Sequence, residues 1–159
     1  MSPRDLALSW FHRVWNERDP DAIREMLAPD AIGHTEGGDM VGPEAFIELF
    51  HRPFLTAFPD VQVTVQAVIE SGTEVAVRWS ACCTHTGNAF GIEATGRKLT
   101  FLGVSWFKVQ DGLFVEGWDH WNFSGFMQAL SCGTGTASIL VENAPAPDAD
   151  AAPDPSNIA

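Results

Sequence analysis

Between Phe58 and Val61 the spacing of apolar residues falls from three or four to two, which divides the chain into a helical part and a sheet part. Upstream, Leu6, Trp10 and Val14, interleaved with Leu8, Phe11 and Trp15, recur at helical steps. Phe46, Leu49, Phe50, Phe54, Ala57 and Phe58 do the same. Downstream, Val61, Val63 and Val65 alternate with polar residues, as a half-buried strand does. Val75, Val77, Trp79, Ala81, Cys83 and His85 share one face of a second run, and Leu99, Phe101, Gly103, Ser105 and Phe107 one face of a third. Helices followed by an antiparallel meander predict an α+β domain, a strongly curved sheet closed on its concave side by helices.

Local signals set the boundaries. Ser2-Pro3 and Asp19-Pro20 read as an N-cap followed by proline in the first turn, and Gly42-Pro43-Glu44 opens a third helix that Pro53 is expected to kink or break. Ile23, Met26 and Leu27 form the buried edge of the second helix, which ends at Pro29-Asp30. Ala31 to His34 reads as a brief extended segment, Glu36 to Asp39 as a loop, and Gly87 to Gly96 as a loop or bent hairpin. Asp111-Gly112 turns tightly between the last two strands. Residues 1–131 are predicted to form the domain. Residues 132–159, rich in Ala, Pro and Asp, are predicted to be a largely disordered tail in which Ile139-Leu140-Val141 could dock on a sheet edge or partner.

A formal charge of −12 leaves no basic face for nucleic acid. No run approaches the roughly 20 apolar residues that cross a bilayer, and Met-Ser-Pro-Arg-Asp lacks a signal-peptide pattern, so a cytoplasmic location is the expectation. Three cysteines, two of them adjacent (Cys82, Cys83), are no disulfide framework, and none shows a pairing with a base.

The stretch Phe114 to Phe126 concentrates the chemistry. It reads as a final strand that carries Asp119 between Trp118, Trp121 and Phe123 and breaks at Asn122 into a short closing helix. Desolvation there disfavours the anion, raises the carboxyl above the ~3.9 of a free Asp, and suits it to proton transfer near neutral pH. The competing reading is an Asp that merely ends a strand at the surface.

The order of motifs resembles the SnoaL-like polyketide cyclase (ester cyclase) family, within the nuclear-transport-factor-2-like superfamily. The pieces are Phe11-x-x-Val14-Trp15-Asn16, Ala28-Pro29-Asp30-Ala31-Ile32-x-His34, Gly42-Pro43-Glu44-x-Phe46, Phe58-Pro59-Asp60 and Thr84-His85-Thr86-Gly87. Gly91-Ile92, Thr95-Gly96-Arg97-Lys98, Asp111-Gly112, Trp118-Asp119 and Gly125-x-x-Gln128-x-Leu130 come next in order. The resemblance implies a cone-shaped curved antiparallel sheet with three N-terminal helices closing the concave side. It also implies a ligand cavity in the mouth of the cone and a homo-oligomer (dimer or tetramer) formed through the convex face. In the aromatic-polyketide cyclases of that family an Asp at the place of Asp119 is acid and base for an intramolecular aldol closure. Their Gln-x-His pair falls at Gly103-Val104-Ser105 here, and their pocket Asn at Gly33, with His34 next.

The expected catalytic set is Asp119, with His85 and His34 as polar partners whose alternative is structural burial. Phe50, Trp79, Phe101, Trp118 and Trp121 are expected to make a flat apolar pocket for fused rings. Gly103 would make room for a ring, and Ser105 could donate to a substrate carbonyl. His120 is expected to face outward, and His12 and His51 to lie on helix surfaces. No spacing supports a metal site from His34, His85 and Asp119, and aldol closure by one carboxyl requires no cofactor. The expected activity is therefore a cofactor-independent cyclase or isomerase acting on a small apolar or aromatic carbonyl compound. The alternatives are a dehydratase or hydrolase using an Asp119–His85 pair and a non-catalytic ligand-binding or dimerisation module. The chain has no Tyr, which excludes Tyr-dependent hydratases.

Overall fold

A computed structural model of the protein describes residues 1–88 and 90–131; the predicted tail, with Ile139-Leu140-Val141, lies outside them. The chain runs α1 (Pro3–Trp10), continued by a wide-turn stretch Phe11–Asn16, then α2 (Pro20–Met26), β1 (Leu27–Thr35) and β2 (Gly38–Val41). Next come α3 (Gly42–Phe46), a second wide-turn stretch Ile47–His51, and α4 (Arg52–Ala57). The strands β3 (Gln62–Ser71), β4 (Glu74–Thr84), β5 (Lys98–Gln110) and β6 (Leu113–Trp121) lead into α5 (Phe123–Ser131). The six strands form one unclosed sheet in the order β2-β1-β6-β5-β4-β3. Register shifts in β3–β4 and β5–β6, each an extra residue on one strand, bend it.

Ser2 caps α1 through a reciprocal pair with Asp5, and Asp19 accepts from the Asp21 N–H at the start of α2. The helices lay Trp10, Phe11, Val14, Ile23, Ile47 and Phe54, all at most 5% exposed, against the inward faces of β4, β5 and β6. The opposite sheet face leaves Leu102, Val104 and Trp106 exposed. No described helix is long and apolar enough to cross a membrane.

Three local expectations need correction. Leu27 to Thr35 is one strand, paired with β6 in parallel and with β2 in an antiparallel hairpin, so the sheet is mixed rather than wholly antiparallel. Its departures from strict alternation and the four-residue length of β2 hide both strands from a periodicity reading.

Pro53 does not break the third helix. The turn just before it is widened, with the Arg52 N–H reaching the Ile47 carbonyl five residues back, and this absorbs the ring without ending the helix. His51 falls four residues after Ile47 and three before Phe54, both buried, so it lies inside rather than on the surface. It is 2% exposed, and its Nε2–H donates to the Val14 carbonyl at 2.9 Å.

Burial holds the His51 imidazole below its ordinary value of 6.5, and His85 likewise. The unfolded chain therefore binds these protons more tightly, and the stability each neutral ring contributes is lost as pH falls from 6.5 toward the folded value. His51→Gln should accordingly lose less Tm than wild type between pH 7.5 and 5.5, read by calorimetry. Identical slopes would show that the ring takes up its proton equally in the folded and unfolded chain, so that burial does not hold it neutral.

Candidate active site

Ser105 on β5 and Asp119 on β6 are direct cross-strand partners, and both point to the concave side. The Ser105 hydroxyl donates to Asp119 Oδ1 at 2.5 Å, the length of a charge-assisted O–H···O⁻ bond. The Trp79 indole N–H donates in turn to Ser105 Oγ at 2.9 Å. Around this relay the cavity wall is aromatic, including Trp10, Trp15, Phe50, Phe101, Phe107 and Trp121, and the free space is about 100 Å³. In that apolar setting desolvation lifts the Asp119 carboxyl above its ordinary 3.8, opposed by the Ser105 hydrogen bond, which favours the anion. An apolar hollow that desolvates one acid can move protons at an otherwise uncharged ligand.

Strand parity places the other candidates. Because Ser105 and Asp119 meet on the inner face, the side chains of Trp118 and its cross-strand partner Trp106 lie on the outer one, although Trp118 also borders the cavity. His34 pairs with Trp118 across β1–β6 and stacks on it at 5.3 Å, also outside. There its Nδ1 is 2.8 Å from Asp39 and its Nε2 3.0 Å from Glu116, and Lys108 pairs with Glu116 at 2.9 Å. The hydrogen bonds it donates to Glu116 and then Asp39 raise the His34 pKa, making it an ion-pair partner on the convex face. The side chains of His34 and Trp118 thus stack on the outer face, while both residues border the cavity at its rim.

His85 is fully buried, packs 5.2 Å from the Phe58 ring, and holds Thr95 through Nδ1. It sits opposite Arg97, eight residues along the chain from Ser105, or roughly 25 Å of strand. An Asp119–His85 pair is therefore out of reach, and the dehydratase reading that needs it falls. His85 lies apart from His34 and Asp119, and among the described residues no group of three His, Cys, Asp or Glu side chains converges as metal ligands would.

Phe50, Trp79, Phe101, Ser105 and Trp121 do line the cavity. Gly103 does not leave room for a ligand ring: a Cβ there would lie 2.5 Å from Trp79 Cζ2 and 2.9 Å from Trp121 Cβ, so the Trp79 indole and the Trp121 stem fill that space. Ser105 spends its only proton on Asp119 and has none for a substrate carbonyl. At about 100 Å³ the space lies below the 300–1,000 Å³ of pockets that enclose large ligands, so a fused-ring ligand fits only if mouth side chains such as Phe50 turn aside. Cys83 is buried and its thiol is pushed up to about 12, which disqualifies it as a nucleophile.

The cavity wall contributed by the first helix, Trp10, Phe11 and Trp15, is legible in the sequence only as a core stripe. Its signal is the choice of three large aromatics where aliphatic residues would pack as well.

A family model described as SnoaL-like polyketide cyclase matches residues 5–130. Among solved structures, a protein of Jannaschia sp. CCS1 assigned as a SnoaL-like polyketide cyclase superposes with a TM-score of 0.76 at 23% identity, over 83% of this chain and 93% of that one. IdmH of Streptomyces antibioticus, assigned as a polyketide cyclase, gives 0.71 at 26% identity over 83% and 100% of the two chains. AclR of Streptomyces galilaeus, assigned as a hydroxylase, gives 0.71 at 28% over 81% and 95%. Among curated proteins no sequence match is found.

Proposed function

This chain belongs to the SnoaL-like polyketide cyclase family, and we propose on that premise that it closes a ring in an apolar carbonyl compound by an aldol reaction in which Asp119 moves the protons. The observation that supports this most is the placement of the desolvated Asp119 carboxyl against a largely apolar, aromatic-rich cavity wall. The carboxylate takes a proton from a carbon next to a carbonyl, giving an enolate and a carboxylic acid. The enolate carbon then bonds to a second carbonyl carbon of the same molecule, and the resulting alkoxide recovers the proton from Asp119. Charge and protons balance across the cycle, and the enolate is delocalised through the substrate's own carbonyls. The reaction as written requires no cofactor. The aromatic wall orients a flat substrate and keeps bulk water from quenching the enolate.

The first step is testable without the natural substrate. Purified protein should accelerate deuterium exchange at C1 of 2-tetralone in D₂O, followed by NMR. The rate should rise with pH through the Asp119 pKa, which desolvation places above the ordinary 3.8. Exchange no faster than in buffer, with 2-tetralone and with an open-chain 1,3-diketone, would leave a ligand-binding module as the better reading.

A further inference from the structure

We propose that Trp79 is a positioning residue for this site, its indole N–H holding the Ser105 hydroxyl as a donor to Asp119 so that the other carboxyl oxygen is left to meet the substrate. The proposal rests on the catalytic reading of Asp119 given above. Its geometry leaves little choice of direction. An indole N–H can only donate, so at 2.9 Å Ser105 Oγ must accept from Trp79. Ser105 then has one proton to place, and ionised Asp119 Oδ1 at 2.5 Å receives it. One carboxylate oxygen is thus spoken for, and Oδ2 carries the exchange with the ligand.

Gly103 belongs to the same device. It faces Trp79 across β4–β5, and a Cβ there would run into the indole at Cζ2, 2.5 Å away, with the His120 carbonyl and Trp121 Cβ each at 2.9 Å. These neighbours are packed backbone and rings, so nothing in the wall can give way cheaply. The missing side chain at 103 is what lets the Trp79 ring lie flat enough on β5 for its N–H to reach position 105. Gly103, Trp79 and Ser105 form one unit, which explains why a strand without a long polar side chain at 103 or 105 still presents an oriented acid. The hydrogen bond from Ser105 favours the anion, and polarisation by Trp79 strengthens it.

The test measures the Asp119 carboxyl directly, by ¹³C NMR titration of aspartate-labelled protein, with its resonance identified by disappearance in Asp119→Asn. Ser105→Ala should raise the Asp119 pKa. Trp79→Phe should raise it in the same direction by less, and the double variant should titrate as Ser105→Ala alone. The ascending limb of the 2-tetralone exchange profile should shift up with the NMR value in each, and the plateau rate in Trp79→Phe should drop about tenfold as Asp119 loses its fixed orientation.

A merely structural Trp79 would lower Tm and leave both titrations in place, which would overturn the proposal. Where phenylalanine leaves too large a void, 3-benzothienylalanine at position 79 keeps the two-ring shape without the N–H and carries the same comparison. If Asp119→Asn retains exchange activity the catalytic reading fails, yet the NMR titrations still decide whether Trp79 acts through Ser105.

Discussion

Asp119→Asn is expected to reduce carbon-proton exchange by about 10²- to 10⁴-fold, the usual contribution of a positioned general acid–base group, while the fold loses nothing at neutral pH. The amide is isosteric, and its Oδ1 can still accept from Ser105, so the relay that orients the side chain survives. What disappears is a desolvated anion. The folded-state pKa of Asp119 is raised, so the native protein holds this proton more tightly than the unfolded chain does. The stability that comes with it is present below the ordinary value of 3.8 and is lost as pH rises through the folded value. The variant has no such loss, and its Tm relative to wild type should climb between pH 4 and pH 7. An inactive variant that is also markedly less stable at pH 7 would mean that Asp119 is a structural residue. Full activity in a stable variant would remove it from the chemistry.

The range of each interaction decides whether the sequence shows it or hides it. The change of apolar period near Phe58 marks the passage from helices to sheet because burial of one face is written in every second or every third and fourth residue. Asp111-Gly112 is equally local: both residues have positive φ, 51° and 78°, as a two-residue hairpin turn with right-handed twist requires. His51 is hidden because a polar ring among Ile47, Phe54 and Phe58 reads as a gap in the apolar stripe, and the Val14 carbonyl that satisfies it is 37 residues away.

At the site, Asp119 stands out as a lone carboxylate among aromatics, and parity on β6 already implies that Trp118 cannot share its face. His34 misleads because β1 departs from strict alternation, and its pairing with Trp118 is what shows that it points outward. Gly103 misleads in another way. An absent side chain looks like room for a ligand, but Trp79, on a different strand, occupies the space, and no local pattern records that contact.

Gly87→Ala is expected to be the most damaging single methyl group in the domain. Gly87 lies just past β4 where the chain crosses the end of α4, and a Cβ there would stand 1.8 Å from the Thr56 carbonyl oxygen and 2.8 Å from its carbon. These are backbone atoms in the last turn of a helix, so no rotamer change relieves the overlap, and the loop itself must lift. Lifting breaks the two N–H bonds from Thr86 and Gly87 to the Ala57 carbonyl, each 3.1 Å long. Two net hydrogen bonds at about 1 kcal/mol each, with about 1–3 kcal/mol of overpacking, put the cost near 3–5 kcal/mol, or a Tm fall on the order of 10 °C. Gly37→Ala is the matched control, since its Cβ would meet nothing closer than Thr35 Oγ1 at 3.8 Å, and it should stay within about 0.5 kcal/mol of wild type. The same loop carries Phe90 onto Phe50 and Phe123 at 6.4 and 5.9 Å, beside the cavity. Damage at Gly87 should therefore also loosen closure over Asp119 and slow exchange at temperatures where the variant remains folded. A Gly87→Ala protein that melts within 2–3 °C of wild type, about 1 kcal/mol, would show that this crossing is not clamped, and the dependence of the cavity on it would go as well.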